Sequence, residues 1–177
     1  MSTLTSLDLF LIALVLAASV HDLVERKIPN RLIGCGLLSA AVLHLASGIP
    51  FSLLSTGLAG LAVGFAVFFP LYCVRGMAAG DVKLMAMAGA FTGPVLALEI
   101  ALAAFCIGGL MALAIVLARG LLRATLANMR ALLRPLYMRL TGAPATGELL
   151  AVPSVGGMPY GVAIAAATML VLVLRHG

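Results

Sequence analysis

The sequence predicts an all-α protein that crosses a membrane several times, and three observations predict it. Hydrophobic residues make up 63% of the 177 positions and charged residues only 10%, whereas about a quarter of a soluble domain is charged. The apolar residues form long runs, several of them close to the ~20 residues of a membrane-spanning helix. Most basic residues fall between these runs. We therefore expect a polytopic membrane protein of about six transmembrane helices, forming a single membrane-embedded domain over residues 1–177.

Proline, glycine and charged residues separate the apolar runs and so mark the ends of the predicted spans. Pro29 interrupts the first helical pattern, and Pro50 and Pro94 follow the second and fourth runs, because proline disfavours continuation of a helix. The first run follows a segment without the basic region of a cleavable signal, so we expect it to remain as an uncleaved span. The predicted spans are 6–24, 32–46, 51–74, 82–91, 95–118 and 155–174.

Residues 119–150 have a different character from the rest of the chain. Five arginines and intervening leucines favour a basic amphipathic helix that lies on an anionic membrane surface and is broken at Pro135. A docking surface for a partner protein is the alternative interpretation. The arginines are Arg119, Arg123, Arg130, Arg134 and Arg139.

The distribution of basic residues predicts the orientation in the membrane. If the N-terminus is outside, ten of the eleven Lys and Arg residues lie in the inner segments and Arg175 alone lies outside. Cytoplasmic loops carry such an excess, so we expect both termini outside and the segment 119–150 in the cytoplasm. The net charge of +5 is then a sign of membrane topology and does not indicate a nucleic-acid partner.

The acidic residues are few, and carboxylates inside or beside a membrane span are functional candidates by default. The six are Asp8, Asp22, Glu25, Asp81, Glu99 and Glu148. We expect Asp8 and Glu148 to be solvated, because they lie near a chain end and in a loop. Glu99 lies about one turn into the fifth span, so its side chain is expected to reach the membrane surface. Asp22 and Asp81 remain as candidates for chemistry.

Asp22 and Asp81 are 59 positions apart, yet the predicted topology places them at one depth. Asp22 lies four residues before Arg26, about 6 Å along a helix, and Asp81 begins the fourth span from the same side. Two carboxyl groups in a partly desolvated site cannot both ionise cheaply, so they hold one proton between them. One can then activate water while the other protonates a carbonyl oxygen.

Two structural interpretations of these aspartates stay open at this point. Asp81 follows Gly80 and precedes an apolar run, which is typical of a residue that caps a helix N-terminus. Asp22 is spaced to pair with Arg26 at i,i+4 on its own helix.

Three segments resemble motifs of the prepilin peptidase family of intramembrane aspartic proteases. Residues 22–30, Asp-Leu-Val-Glu-Arg-Lys-Ile-Pro-Asn, resemble its first motif, and residues 78–84, Ala-Ala-Gly-Asp-Val-Lys-Leu, resemble its second, Gly-x-Gly-Asp-Val-Lys-Leu. Residues 158–161, Met-Pro-Tyr-Gly, resemble the Pro-aromatic-Gly sequence of its last span. The three occur in the family's order and at suitable spacing.

The resemblance implies that Asp22 and Asp81 are the catalytic pair of an aspartic endopeptidase. Pro29 and Asn30 would shape the turn that fixes Asp22, with Asn30 as a candidate cap of the second span, and Lys83 would neutralise local charge or meet lipid phosphate. The residues implied to bind substrate or shape the site are Ile28, Pro29, Asn30, Ala78, Gly80, Lys83, Pro159, Tyr160 and Gly161.

The sequence departs from the family pattern at two points. Ala78 replaces the first glycine of Gly-x-Gly-Asp, which would put activity in doubt if that position needed a positive φ, and would be tolerated if it needed only a small side chain. Longer members carry a cytoplasmic insert with paired Cys-x-x-Cys motifs and also methylate the new N-terminus. This chain has no such pair among its three cysteines and resembles the short forms that serve tight-adherence (Flp) pili.

We therefore expect a peptidase without N-methyltransferase activity, without a cofactor and without a metal. His21 and His44 lie at opposite predicted depths, which argues against a shared metal and favours packing roles. The expected reaction removes the short basic leader of a prepilin or pseudopilin, after a small residue that is usually Gly, at the cytoplasmic face of the bacterial inner membrane. The expected partners are the substrate's leader and hydrophobic helix and membrane lipid, with pilus-assembly proteins as candidates.

Two other functions are compatible with the sequence. Asp22 and Asp81 could be proton or cation sites of a small transporter, although the repeat symmetry typical of transporters is not evident. A non-catalytic pilus-assembly factor of the same fold, inactive because of Ala78, is the second alternative.

Overall fold

The computed structural model describes residues 6–49, 51–74, 76–123, 125–127 and 158–176, and every regular element among them is a helix. The all-α prediction is confirmed for this part of the chain. A π-helical turn, Leu53–Leu58, runs directly into α3. The α-helices are α1 Ser6–Glu25, α2 Asn30–Ala46, α3 Ala59–Cys73, α4 Ala79–Thr92, α5 Pro94–Ala118 and α6 Tyr160–His176.

The predicted helix ends agree with the observed ones where proline or glycine fixes the backbone. α2 begins directly after Pro29, and α5 begins at Pro94, which suits a first helical position because its missing N–H has no partner there. Gly93 separates α4 from α5 with a φ of +84°, which glycine adopts without strain. The π-helical turn before α3 was not predicted. The last helix begins at Tyr160, later than the predicted residue 155.

Helix length and composition agree with a membrane protein. Among the described residues, three helices are long and apolar enough to cross a bilayer, over residues 7–25, 53–73 and 94–118. α2 and α6 are apolar but shorter. With 14 residues, α4 is about 21 Å long, less than the ~30 Å of a hydrocarbon core.

The chain divides into two compact units. The first comprises residues 1–109 and 159–177, and the second residues 110–158. In the second unit α5 continues to Ala118, the backbone turns at Gly120 with a φ of +64°, and helix resumes at residues 122–123 and 125–127. The remainder of the predicted amphipathic segment, residues 128–150, lies outside the described residues.

In the first unit, α4 is the central helix and ten of its 14 residues are buried. Glycines on α3 bring the two backbones together. A Cβ atom at Gly60 would collide with the carbonyl group of Gly89, and one at Gly64 would collide with the carbonyl group of Met85. Gly60 and Gly64 have the small-xxx-small spacing by which membrane helices pack closely, so this interface holds α4 in place.

His44, at the far end of α2, connects three segments. Its Nε2 is 2.9 Å from the carbonyl oxygen of Ala90, and its Nδ1 is 2.8 Å from Oγ of Ser52. The Ala90 carbonyl would otherwise bond to the N–H four residues later, but that residue is Pro94, which has none. Since a carbonyl only accepts, Nε2–H donates to Ala90 and the Ser52 hydroxyl donates to Nδ1. His44 therefore has a packing role.

The helices α1 and α6 pack against each other in antiparallel directions. At one end, His176 lies in the last turn of α6, and its Nε2 is 3.1 Å from Oδ2 of Asp8 in the first turn of α1. Asp8 is only 5% exposed, so the expectation that it is solvated is wrong. Its position near the chain end did not reveal that α6 covers it.

Candidate active site

Three helix ends meet at the other end of the α1–α6 pair. Asp22 lies in the last turn of α1, Asp81 in the first turn of α4, and Gly161 in the first turn of α6. Asp22 and Asp81 are 7% and 6% exposed, and they are close enough for their charges to interact. The fold thus brings together two buried carboxyl groups that are remote in sequence.

The backbone of Gly161 contacts Asp22 directly. Its N–H donates to Oδ2 of Asp22 at 2.7 Å. A Cβ atom at position 161 would lie 2.9 Å from that oxygen and 3.1 Å from the Asp22 Cβ, closer than a side chain tolerates without displacement. Position 161 therefore suits glycine, which leaves room for the carboxylate against the start of α6.

The loop between α1 and α2 is fastened to the start of α4. Nζ of Lys83 donates to Oδ1 of Asn30 at 2.9 Å, and Ile28 packs over Gly80, where an added Cβ would lie 3.4 Å from the Ile28 Cβ. Ile28 and Pro29 are half-buried. These contacts join the segments that follow Asp22 and surround Asp81, so the loop fixes the spacing of the two carboxyl-bearing helix ends.

Asn30 does not cap α2, contrary to the expectation from sequence. Pro29 occupies the N-cap position, with a φ of −63° and a ψ of 130°, and makes no side-chain capping bond. Asn30 is the first helical residue, and its side chain serves as the acceptor for Lys83. Lys83 is exposed, and its Nζ donates to Asn30.

Ala78 has an ordinary backbone conformation. It is the N-cap of α4, with a φ of −79° and a ψ of 150°, a conformation that any L-residue adopts. Position 78 therefore does not need glycine for a positive φ, and the replacement of the first glycine in Gly-x-Gly-Asp is compatible with this fold.

Tyr160 anchors the start of α6. Its hydroxyl donates to the carbonyl oxygen of Ala104 on α5 at 3.0 Å, and its ring packs edge-on against Phe68 at a centroid distance of 5.9 Å. Gly108 lies against the ring, and a Cβ there would be 2.5 Å from the Tyr160 Cε2. Pro159 directly precedes this helix and is half-buried. Tyr160 thus fixes the turn that presents the Gly161 N–H.

The structural alternatives describe the aspartates only in part. Asp81 is not the N-cap of α4, because Ala78 holds that position, but from the third helical position it has a backbone hydrogen bond with Ala78, as the third residue of a capping box does. Asp22 would need Arg26 on the same helix, but α1 ends at Glu25 and Arg26 has a φ of +53°. The Asp22 carboxylate accepts from Gly161 across the helix interface.

Other charged residues of the described part lie away from the aspartates or on the surface. Glu99 is exposed and borders a surface cavity with Arg175, so its side chain is not buried between the helices. Nδ1 of His21 lies 4.0 Å from Oε1 of Glu25 on the surface of α1. No cluster of three His, Cys, Asp or Glu residues with metal-binding geometry occurs among the described residues. Glu148 lies outside them.

This arrangement suits acid–base chemistry on water. A buried pair of interacting carboxyl groups favours the state with one shared proton, because two charges in a desolvated site repel each other. Such a pair can remove a proton from water and give one to a carbonyl oxygen in the same step.

Comparison with known proteins gave one match. The sequence profile of the type IV leader peptidase family matches residues 9–113. This range covers more than half of the chain and contains the segments around both Asp22 and Asp81, whereas residues 158–161 lie outside it. The searches of characterised proteins and of solved structures found no match.

Proposed function

Because the chain belongs to the type IV leader peptidase family, whose members process prepilin-like substrates, we propose that it is an aspartic endopeptidase with Asp22 and Asp81 as its catalytic pair. Residues 1–177 form one peptidase domain, with six spans, both termini outside and the site facing the cytoplasm. The enzyme removes the short basic leader of a prepilin or pseudopilin at the inner membrane and does not methylate the product.

The observation that carries this proposal is the meeting of Asp22 and Asp81. Both are buried, they belong to helices far apart in the chain, and their charges interact. Burying a charge without a compensating partner is costly, so two adjacent buried acids are hard to explain by stability. Hydrolysis of a peptide bond needs one acid and one base beside that bond, and this need explains why two buried aspartates are found together.

The pair supports hydrolysis of a peptide bond in two steps. In the first, one carboxylate takes a proton from water as the water oxygen attacks the carbonyl carbon, and the other carboxyl group protonates the carbonyl oxygen. In the second, the C–N bond breaks, and the leaving amine receives a proton from the pair. The bond must be presented in an extended segment, because a helix engages its own carbonyl groups.

The test is leader removal from a purified prepilin by the purified wild-type protein and by Asp22→Asn and Asp81→Asn variants. Each variant should lose about a hundred- to ten-thousand-fold in cleavage rate and stay folded, because an amide has nearly the same shape but cannot exchange the proton. Cleavage at wild-type rate by either variant would refute the aspartic mechanism.

Asp8 provides the matched control for these substitutions. It is as buried as the pair, at 5% exposure, but lies 14 residues from Asp22 on α1, about 21 Å along the helix. Asp8→Asn should therefore keep its cleavage rate in folded protein, even if the lost contact with His176 lowers the melting temperature. If Asp8→Asn lost cleavage as fully as Asp22→Asn, burial of a carboxylate rather than membership of the pair would explain the effect.

The orientation can be tested by labelling single cysteines in whole cells with a membrane-impermeant reagent. Variants with cysteine at Asn128 or Ala145 should react only after the membrane is permeabilised, and variants at Ser47 or Gly177 should react before it. The expectation follows from ten basic residues on one side against one on the other. Labelling of position 128 in intact cells would overturn the six-span topology.

A further inference from the structure

The two aspartates have different surroundings. Oδ2 of Asp22 accepts the N–H of Gly161 at 2.7 Å, a length typical of a hydrogen bond to an ionised carboxylate. Asp81 has a backbone hydrogen bond with Ala78, within the start of its own helix, and it faces the charge of Asp22.

The donor of this bond is unusually well placed. Gly161 lies in the first turn of α6, where N–H groups have no carbonyl partner within their own helix and carry the positive end of the helix dipole. Asp81 also lies in a first helical turn, that of α4, so the dipoles act on both carboxyl groups. What distinguishes Asp22 is that its donor, the Gly161 N–H, comes from the start of a different helix at 2.7 Å, whereas Asp81 is bonded within the start of its own helix.

We propose that Asp22 is the member of the pair that is ionised before attack and accepts the proton of water, that Asp81 carries the shared proton, and that the Gly161 N–H is the positioning group that holds Asp22 in this role. The inference rests on the proposed function and adds a division of roles to it.

The assignment gives a balanced cycle. As the water oxygen bonds to the carbonyl carbon, Asp22 receives the water proton and Asp81 gives its proton to the carbonyl oxygen, which forms a neutral gem-diol. As the C–N bond breaks, Asp22 returns its proton to the amine nitrogen and one hydroxyl of the gem-diol gives a proton to Asp81. The products are a carboxylic acid and an amine, and the pair has its starting protonation.

The titratable groups around Asp22 come from each helix packed on α1. α4 contributes Asp81, and α6 contributes Tyr160, which interacts with Asp81. Arg31, at the start of α2, is exposed. Glu25, Arg26 and Lys27, at and directly after the end of α1, are exposed as well. The Gly161 N–H is uncharged at every pH, so its removal changes the pair without adding a titrating group.

The test replaces Gly161 with glycolic acid by nonsense suppression in cell-free synthesis into nanodiscs, which exchanges the N–H for an ester oxygen and adds no side chain. Cleavage of a purified prepilin is then measured against pH. Loss of the donor makes Asp22 easier to protonate, so the acidic limb of the profile should move to higher pH by about one unit, while the basic limb stays.

The matched control is the same exchange at Val162, with 2-hydroxyisovaleric acid. The N–H of Val162 bonds to the Pro159 carbonyl at 3.3 Å, so its loss weakens the same helical turn without touching Asp22. Both limbs of the pH profile of this control variant should stay in place. If both ester variants are equally slow with unmoved limbs, or if the basic limb moves at position 161, the inference is wrong. A wild-type protein that cleaves no prepilin would instead refute the proposed function.

A second measurement does not depend on cleavage or on the ester. Infrared spectra at mildly acidic pH, where burial keeps Asp81 protonated even without the charge of Asp22, should show a protonated carboxyl band that Asp81→Asn removes and Asp22→Asn keeps. A band that disappears in Asp22→Asn and persists in Asp81→Asn would assign the proton to Asp22 and overturn the inference.

Discussion

The buried polar groups at the two ends of α4 differ in how many of their possible hydrogen bonds are made. At its C-terminal end, both ring nitrogens of His44 have partners, in Ser52 and Ala90. At its N-terminal end, the carboxyl groups of Asp22 and Asp81 interact electrostatically and offer more hydrogen-bonding sites than the bonds with Gly161 and Ala78 fill. A buried polar group with all its bonds made rigidifies a fold. A buried pair with unused capacity is suited to bind and change a substrate.

The largest effect on stability is expected at the C-terminal end of α4, where both ring nitrogens of His44 have partners. His44→Leu would leave the Ser52 hydroxyl and the Ala90 carbonyl buried without partners, at about 1–3 kcal/mol each. We expect a clearly lower melting temperature in detergent, and an unchanged cleavage rate per folded molecule at low temperature. Ser52→Ala, which keeps the bond to Ala90, should cost less. A His44→Leu protein that has normal stability but does not cleave would contradict this expectation, because it would show that His44 takes part in the reaction.

A smaller effect, on activity, is expected from Gly108→Ala. The new Cβ would lie 2.9 Å from the Tyr160 Cζ and 3.0 Å from its hydroxyl oxygen, so the ring and the first turn of α6 must shift. Because small displacements of catalytic groups are costly, the cleavage rate should fall on the order of tenfold.

Gly109→Ala is the control for this substitution, since a Cβ at position 109 would meet nothing within 4 Å. It adds the same methyl group to the same helix one residue later and should leave the rate unchanged. Equal losses in both variants would show that α5 tolerates no added methyl group there, and that the Tyr160 contact is not the cause.

The smallest effect is expected at Ala78. Its φ of −79° gives glycine no conformational advantage, so Ala78→Gly should keep the cleavage rate within about twofold and cost roughly 0.5–1 kcal/mol of stability from added chain entropy. Kinetics and melting temperature measured on the same preparation separate the two effects. A tenfold rise in rate would show that the active conformation needs a positive φ at position 78, which α4 does not have in this structure.

The helix ends could be predicted because they depend on local chemistry. Pro29, Gly93 and Pro94 constrain the backbone wherever they occur, and the runs between them are apolar enough to require helices in lipid. That Asp22 and Asp81 lie near each other could be expected from the same runs and from the basic residues beside them. The motifs at residues 22–30 and 78–84 then singled out this pair.

The packing between helices could not be predicted from these patterns. In a membrane, lipid and protein interior are both apolar, so hydrophobicity does not show which face of a helix meets another helix. The contact of Gly60 with Gly89 and the burial of Asp8 under α6 were missed for this reason. The Gly60–Gly64 spacing was the available signal for the first, and no comparable signal exists for the contact between Asp8 and His176.

The position of Gly161 near the end of the sequence has a consequence during biosynthesis of the protein. The ribosome delivers α1 first and α4 soon afterwards, so both carboxyl groups are in the membrane while translation is still under way. The N–H that holds Asp22 arrives only with α6, the last of the described helices. A nascent chain that has not yet released α6 therefore lacks the hydrogen bond to Asp22, and the arrangement of the three helix ends is complete only after synthesis has passed residue 161.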